Sequence, residues 1–261
     1  ARSTLTKKPI QYFSAKLTLS RLNNAEYIPN WQMWDTGVNR AVQINHNYQW
    51  KHGKKSGNYE LFFETTINGS DTHYSQFTFT TVNQFSMVMP FELRVFGGWQ
   101  SENIPSQNSF RLNGASYFSA AHTSWLYNSI GSLPISLTDH GHFQVPGGGN
   151  IRSKISTTPI LNWLTALNLQ TDPSELLGSL AIYSKVNQYL KIQPKLFLGW
   201  AVYEKEAGDI DSVIEFGGGV IRPLKKIPPA LGTYVLRFDA AVPVWGKNVE
   251  SNWVISLHRE F

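Results

Sequence analysis

The sequence of 261 residues contains no cysteine. That absence excludes a fold stapled by disulfides and any zinc site built on thiolates. The sequence also lacks an apolar run near the roughly 18 residues that a membrane-spanning helix needs. Since hydrophobic residues still make up 41% of the chain, any crossing of a membrane is predicted to use β-strands.

Signatures of catalysis are missing as well. There is no nucleophile elbow, no HExxH and no paired-carboxylate pattern. Asp139, His140 and His142 could offer ligands to a metal, but without a sure third ligand a solvated loop is the favoured reading. The three glycines at 147–149 lack the Lys-Ser/Thr of a phosphate-binding loop. We therefore predict no enzymatic activity, no metal and no cofactor for this chain.

Charge is low, at 16% of residues, with a net value of +5. The basic residues are scattered among predicted strands and turns, and they do not gather on one helix or stripe. A nucleic-acid partner is therefore not predicted.

What the sequence does contain is a series of short segments that alternate apolar and polar residues. In the clearest, Val42, Ile44, Tyr48 and Trp50 share one face, and the other face carries two asparagines and two glutamines, Gln43, Asn45, Asn47 and Gln49. A strand with one oily and one fully polar side suits a closed barrel in lipid, whose polar face points inward. The predicted fold is all-β, a transmembrane antiparallel β-barrel of about twelve strands. Aromatic residues, 13% of the chain, suit its interfacial girdles, although they also suit a sugar-binding sandwich.

The barrel is predicted to form a single domain over residues 1–261. The predicted strands cover residues 12–21, 42–50, 59–67, 75–82, 91–100, 110–119, 178–187, 190–203, 213–221, 233–244 and 253–261. Because single-chain bacterial barrels usually have an even number of strands, one more is expected within 84–89 or 120–127. The alternation lapses over residues 120–176, apart from a helix-like piece at 160–169. This long loop is predicted to plug part of the lumen.

Charged residues at polar positions of these strands are predicted to line the lumen wall, where opposite charges neutralise each other. They are Glu60, Glu64, Glu92, Arg94, Arg237 and Asp239.

Three elements stand in order in the last third of the chain. They are the glycine-rich stretch at 216–223, the segment VLRFDAAVP at 235–243, and a final strand that ends on Phe261. In this it resembles the BamA-type superfamily of outer-membrane barrels, which includes assembly factors, two-partner secretion transporters and barrels fused to hydrolase domains. The resemblance implies that the outer-membrane assembly machinery reads a C-terminal signal formed by Trp253, Ile255, Leu257 and Phe261.

The same superfamily has a long loop that folds back into the lumen and carries an arginine motif. The matching residues here are Gly147, Gly148, Gly149, Ile151 and Arg152. The resemblance implies that Arg152 is anchored in the lumen, where its guanidinium needs carboxylate or aromatic partners. Ser153 and Lys154 depart from the family motif, and the segment at 197–201 lacks the family's aspartate.

The resemblance implies a barrel of the bacterial outer membrane that anchors or helps to export a fused or partner domain of hydrolase type. The expected partners are outer-membrane lipid, the assembly machinery, a fused periplasmic or surface domain, and a second copy in a homodimer. An upstream soluble domain is expected to be absent from this chain, which begins at Ala1.

Three alternatives stay open. Insertion or translocation of polypeptides would need a weak seam between the first and last strands. A small porin or oligosaccharide channel would conduct better without residues 140–155. A soluble carbohydrate-binding β-sandwich would fold without detergent.

Overall fold

The computed structural model describes residues 9–23, 35–86, 89–105, 108–114, 148–155, 161–205, 208–224 and 233–260. Strands dominate these ranges, joined by two helices between the seventh and eighth strands. In chain order the elements are β1 Ile10–Leu22, β2 Gly37–His52, β3 Lys55–Thr66, β4 Ser75–Ser86, β5 Pro90–Gln100, β6 Lys154–Ile155, β7 Trp163–Thr171, α1 Ser174–Leu177, α2 Ala181–Leu190, β8 Gln193–Glu204, β9 Ile210–Leu224, β10 Thr233–Trp245, β11 Val249–Glu250 and β12 Asn252–Glu260.

Ten of these strands form one antiparallel sheet, in the order β1-β2-β3-β4-β5-β7-β8-β9-β10-β12. The order follows the chain, so that each long strand pairs with the next one. The short strands β6 and β11 form a separate antiparallel pair. The sheet is open, and β1 and β12 are its two edges within the described ranges. The prediction of an all-β antiparallel fold is confirmed at this level.

The two faces of the sheet have the reverse of the polarity that a soluble domain shows. Buried side chains lie on one face, here called the inner face, and many of them are polar or charged: Asn47, Glu60, Glu64, Gln76, Thr78, Thr80, Arg94, Asn168, Glu215, Arg237 and Asp239. Large apolar side chains are exposed on the other, the outer face: Phe63, Phe77, Trp99, Leu198, Trp200, Phe216, Leu236, Phe238 and Trp253.

Strand alternation produces this division, because successive side chains of a strand point to opposite faces. In β10, Val235, Arg237 and Asp239 are buried, while Leu236 and Phe238 between them are exposed. The predicted alternation of polar and apolar faces is thus confirmed.

The sheet is curled, with the inner face concave. Arg237 of β10 donates a hydrogen bond from Nη1 to Oε1 of Gln170 on β7, at 2.9 Å. Two strands lie between β7 and β10, so a flat sheet would separate their backbones by about 14 Å. The side chains meet only because the strands curve toward each other.

One part of the inner face is an apolar core. Phe96, Leu164 and Ala166 of the sheet pack there with Phe110 and Leu112 and with Ile151 and Leu161. Two segments of the chain outside the sheet, residues 108–114 and 148–153, therefore pack against its inner face and cover part of it.

Three segments differ from the sequence predictions. Residues 178–187 were predicted as a strand, but residues 181–187 belong to the helix α2. The spacing of the apolar residues there fits a helix as well as a strand. Residues 160–169 were predicted as helix-like, yet they contribute to β7, which pairs with both β5 and β8. Long-range pairing outweighs local helix propensity at this position.

No helix among the described residues is long and apolar enough to span a membrane.

The third difference concerns residues 110–119. Over 110–114 the chain forms turns and a single bridge between Arg111 and Gly148, not a strand. The alternation of Phe110 and Leu112 reflects two side chains that enter the same core. The remaining residues, 115–119, lie outside the described ranges.

The predicted long loop is also shorter than expected, because 161–176 includes β7 and α1. A missing strand was sought at 84–89 or 120–127; residues 84–86 are the end of β4, while 87–88 and 120–127 lie outside the described part. About twelve strands were expected; ten form the sheet and two form the short pair. The other nine predicted strands each overlap an observed strand.

Candidate functional site: a buried ionic cluster on the inner face

Arg152 is the centre of a buried ionic cluster, with 1% of its surface exposed. Its Nε donates to Oδ2 of Asp239 at 2.5 Å, and Nε of Arg237 lies 2.6 Å from the same oxygen. The ring centroid of Phe197 lies 4.1 Å from the guanidinium carbon. Arg152 therefore has both the carboxylate and the aromatic partner that its burial requires.

Glu215 fixes the backbone around Arg152. The Arg152 amide donates to both carboxylate oxygens at 2.9 Å, and the Ser153 amide donates to Oε2 at 2.6 Å. From β12, Nδ2 of Asn252 donates to the Arg152 carbonyl at 2.9 Å. The segment is thus held by three neighbouring strands, β9, β10 and β12.

Two glycines of β9 make room for the partners of Arg152. Gly217 pairs with Phe197 and Gly219 pairs with Asp239 across the neighbouring strands. A Cβ at Gly217 would lie 2.4 Å from Cζ of Phe197, and one at Gly219 would lie 2.0 Å from Oδ1 of Asp239. Both side chains therefore lean over glycine, which explains the glycine-rich stretch as a requirement of packing.

Arg94 holds the beginning of the same segment. Its Nη2 donates to the carbonyl of Gly148 at 2.5 Å, and its guanidinium lies 5.4 Å from the ring centroid of Phe96. Only 3% of Arg94 is exposed. Residues 148–153 are therefore anchored at both ends by inner-face charges.

Glu92 joins the cluster through an amide. It accepts hydrogen bonds from Gln84 at 2.9 Å and from Gln170 at 2.5 Å. Gln170 in turn accepts from Arg237 at 2.9 Å. The glutamine thus links the carboxylate of Glu92 to the guanidinium of Arg237.

Glu64, another glutamate of the inner face, accepts hydrogen bonds from neutral side chains. Glu64 accepts from Asn108 at 3.0 Å, from Gln43 at 2.8 Å and from the hydroxyl of Tyr74. Burial and the Glu64 carboxylate raise the pKa of Tyr74, which keeps its hydroxyl protonated as a donor. Since Asn108 belongs to residues 108–114, Glu64 fixes this second inner segment.

Several buried polar atoms have no protein partner among the described residues. They include Nε and Nη1 of Arg94, Nη1 of Arg152, both side-chain amide atoms of Asn168, Nη2 of Arg237, Oδ1 of Asp239 and Oε2 of Glu60. Polar groups in such positions are normally satisfied by water. The inner face is therefore expected to be hydrated between its ionic contacts.

The structure places all six predicted wall residues on the inner face. Arg237 and Asp239 meet directly at Arg152, and Glu92 joins them through Gln170. Arg94 acts at the other end of the segment, while Glu60 accepts from Asn45 at 2.7 Å outside this cluster. Of the predicted loop motif, Gly148, Gly149, Ile151 and Arg152 are buried, and Gly147 lies outside the described residues.

The predicted C-terminal signal lies partly in β12. Trp253 is exposed on the outer face and stacks on Phe238, with ring centroids 6.2 Å apart. By register, Ile255 pairs with Phe238 and Leu257 with Leu236. Phe261 lies outside the described residues. Recognition of these residues by an assembly machinery stays a prediction.

Sequence reasoning missed two partners of Arg152, Glu215 and Phe197. The alternation contained the signal for Glu215, because it lies two residues before Gly217 and thus on the same face. Phe197 opens the segment that lacks the family's aspartate, at the position of Gly199, and its ring lies against the guanidinium of Arg152.

Within the described ranges, no group of three histidine, aspartate or glutamate side chains could hold a metal ion. The segment of Asp139, His140 and His142 lies outside these ranges.

Compared with models of known protein families and with curated proteins, the chain matches none. The similarity to BamA-type barrels therefore rests on the sequence elements alone.

Replacing Asp239 with Asn should lower the free energy of unfolding by about 3–5 kcal/mol, because two buried arginines lose their shared counter-charge. The matched control is Asp211→Asn, whose partner Lys205 lies 3.0 Å away in a partly exposed pair; it should cost about 1 kcal/mol or less. Urea titration of the folded chain, followed by tryptophan fluorescence, measures both. Equal losses for the two variants would contradict the central role of Asp239.

Gly219→Ala should destabilise the chain by about 1–3 kcal/mol, because its Cβ cannot fit beside Asp239. Gly218→Ala is the control on the opposite face, since its Cβ would meet its nearest neighbours at 3.4 and 3.5 Å, in ordinary contact. We expect a change of roughly 0.5 kcal/mol or less there. The same urea titration compares the two variants. An unchanged free energy of unfolding for Gly219→Ala would refute the packing role of Gly219.

Proposed function

We propose that this chain is a transmembrane β-barrel of the bacterial outer membrane, similar to the BamA type, that anchors or helps to export a fused or partner domain. The observation that carries the proposal is the reversed polarity of the sheet. Its inner face buries Glu60, Arg94 and Asp239, while its outer face exposes Trp200 and Phe238.

In water, such an outer face would be costly. Each large apolar side chain left exposed forgoes roughly 1.5–3 kcal/mol, and contiguous apolar patches mark contact with a partner or a membrane. Lipid removes this cost for the whole outer face, because the hydrocarbon of the membrane contacts the apolar band that all strands of a barrel share. A polar, hydrated interior is likewise typical of a barrel lumen.

In this proposal β1 and β12 pair with each other and close the barrel. Phe13, Leu17 and Leu19 of β1 are 65%, 70% and 71% exposed, so the first strand carries an unprotected apolar face at an edge. Open edges promote aggregation, and closure removes them. Ten strands also satisfy the even number usual for bacterial barrels.

Support for an anchor over a diffusion channel comes from the inner segments. Residues 108–114 and 148–153 lie on the inner face and are held there by Glu64, Arg94 and Glu215. A small barrel whose interior holds its own chain leaves little room for bulk diffusion. The porin alternative would require the 148–153 segment to leave Glu215 and Asp239.

A reporter enzyme fused ahead of Ala1, with a signal peptide, should sediment with the outer membrane of a Gram-negative host and resist alkaline extraction. The purified chain should fold only in detergent and migrate compactly on gels until boiled, because the apolar outer face needs a non-aqueous contact. A monomer with the same β content in plain buffer would overturn the proposal. Sugar binding by exposed tryptophans such as Trp99 would then become the leading hypothesis.

The matched controls for this experiment lie in the middle of β8. Leu198→Lys puts a charge on the outer face and should lower stability in lipid by about 2–4 kcal/mol. Leu198→Met conserves apolar volume and should cost less than about 1.5 kcal/mol.

Closure can be tested by disulfide formation, because the chain has no native cysteine. Ser256→Cys is combined in turn with Ser14→Cys, Lys16→Cys or Thr18→Cys, all on the inner face by register. In a closed barrel at least one pair should crosslink within a monomer on mild oxidation. Leu17→Cys with Ser256→Cys, on opposite faces, is the control.

Gel mobility with and without reductant reads the result. Failure of all three inner-face pairs would contradict closure. Crosslinks formed only between two chains would instead favour a dimer that pairs its edges.

A further inference from the structure

A cleft of about 540 Å³ opens at the end of the sheet where β2 turns into β3. We call it the vestibule; its walls include Lys51, Lys54, Lys55 and Lys195, together with Glu92 and Gln170. Its size lies within the roughly 300–1,000 Å³ of small-molecule sites. The vestibule adjoins the Arg152 cluster, because Glu92 and Gln170 of its wall are linked by hydrogen bonds to Arg237.

The charges of the vestibule are unevenly distributed. Lys195 is paired with Asp172 at 3.1 Å. Burial raises the pKa of Asp172, but hydrogen bonds from Ser174 and the charge of Lys195 outweigh it, so the pKa lies below its usual range. No carboxylate of the described residues is within ion-pairing distance of Lys51, Lys54 or Lys55. By register Lys51 lies on the inner face with Ser56, while Lys54 and Lys55 are exposed at the rim, so the three ammonium groups carry uncompensated positive charge around the cleft.

A fixed carboxylate, that of Glu92, lies on the same wall. Lys51, Ser56, Gln84 and Glu92 form one cross-strand row over β2 to β5. Three strand spacings separate the backbones of Lys51 and Glu92, about 14 Å in a flat sheet. Both residues nevertheless line the same cleft. Because Gln84 and Gln170 both donate to Glu92, its carboxylate is held in place.

We propose that the vestibule binds a phosphate ester whose other end carries an ammonium or hydroxyl group. The phosphate lies among Lys51, Lys54 and Lys55, and the donor group of the ligand bonds to Glu92. A phosphate monoester carries a charge near −2, which clustered lysines match as point charges. The fixed carboxylate disfavours a ligand that is anionic at both ends. A lipid headgroup such as phosphoethanolamine in a diester offers the same anionic phosphate and donor group, with one negative charge on its phosphate instead of two.

The full chain, folded in detergent, is titrated with O-phosphoethanolamine, inorganic phosphate and ethanolamine at low salt by calorimetry. Phosphoethanolamine should bind more tightly than either fragment. Lys54→Gln combined with Lys55→Gln should weaken both phosphate compounds about three- to tenfold, as expected for two exposed charges. Lys247→Gln, an exposed lysine at the opposite end of the sheet, is the control and should leave binding unchanged.

Glu92→Gln separates the proposed pose from simple attraction of anions. It should weaken phosphoethanolamine, which loses its ionic partner, and strengthen inorganic phosphate, which loses a repulsive charge. Gel mobility before and after boiling verifies that each variant is folded.

Nanodiscs with and without phosphatidylethanolamine distinguish the sources, read by phosphorus NMR of the headgroup. Binding of the free ester supports a soluble ligand, and lysine-dependent broadening of the lipid signal alone supports a headgroup. The proposal fails if neither form binds. It also fails if binding ignores both the lysine and the Glu92 substitutions.

Discussion

The ion pair of Arg152 with Asp239 is the contact on which the inner face depends. A buried guanidinium is tolerated only when carboxylate and aromatic partners replace its water, and here β8, β9 and β10 each contribute to that replacement. Phe197 covers the guanidinium, Asp239 neutralises it, and Glu215 binds the backbone beside it. The cluster therefore ties an inner segment to three strands of the sheet and couples their positions.

That coupling explains other features of the sheet. Gly217 and Gly219 leave space for Phe197 and Asp239 to approach Arg152. The contact between Arg237 and Gln170 spans two intervening strands and requires the sheet to curl. Polar groups thus occupy the concave side, and the apolar side chains of the same strands are left on the convex side. The charge network and the exposed apolar face are two consequences of one alternating pattern.

Alternation predicted most of the strands, because a period of two is directly visible in the sequence when polar and apolar residues alternate. The prediction failed where the same pattern fits two kinds of structure. Residues 178–187 satisfy a helix as well as a strand, and β7 is apolar and helix-compatible until β5 and β8 pair with it. Phe110 and Leu112 alternate only because both enter one core. For the site, alternation put Arg237 and Asp239 on one face, but it could not show that Glu215 and Phe197 meet Arg152.

The sequence by itself determined an all-β chain with one polar and one apolar face, since the alternation of side chains is a local property of each strand. It also indicated that Arg152, if buried, needs carboxylate or aromatic partners. Only the tertiary structure decided which partners those are and how far the sheet curls. Such contacts join residues up to 100 positions apart in the chain, and no local pattern specifies the register and curvature that bring them together.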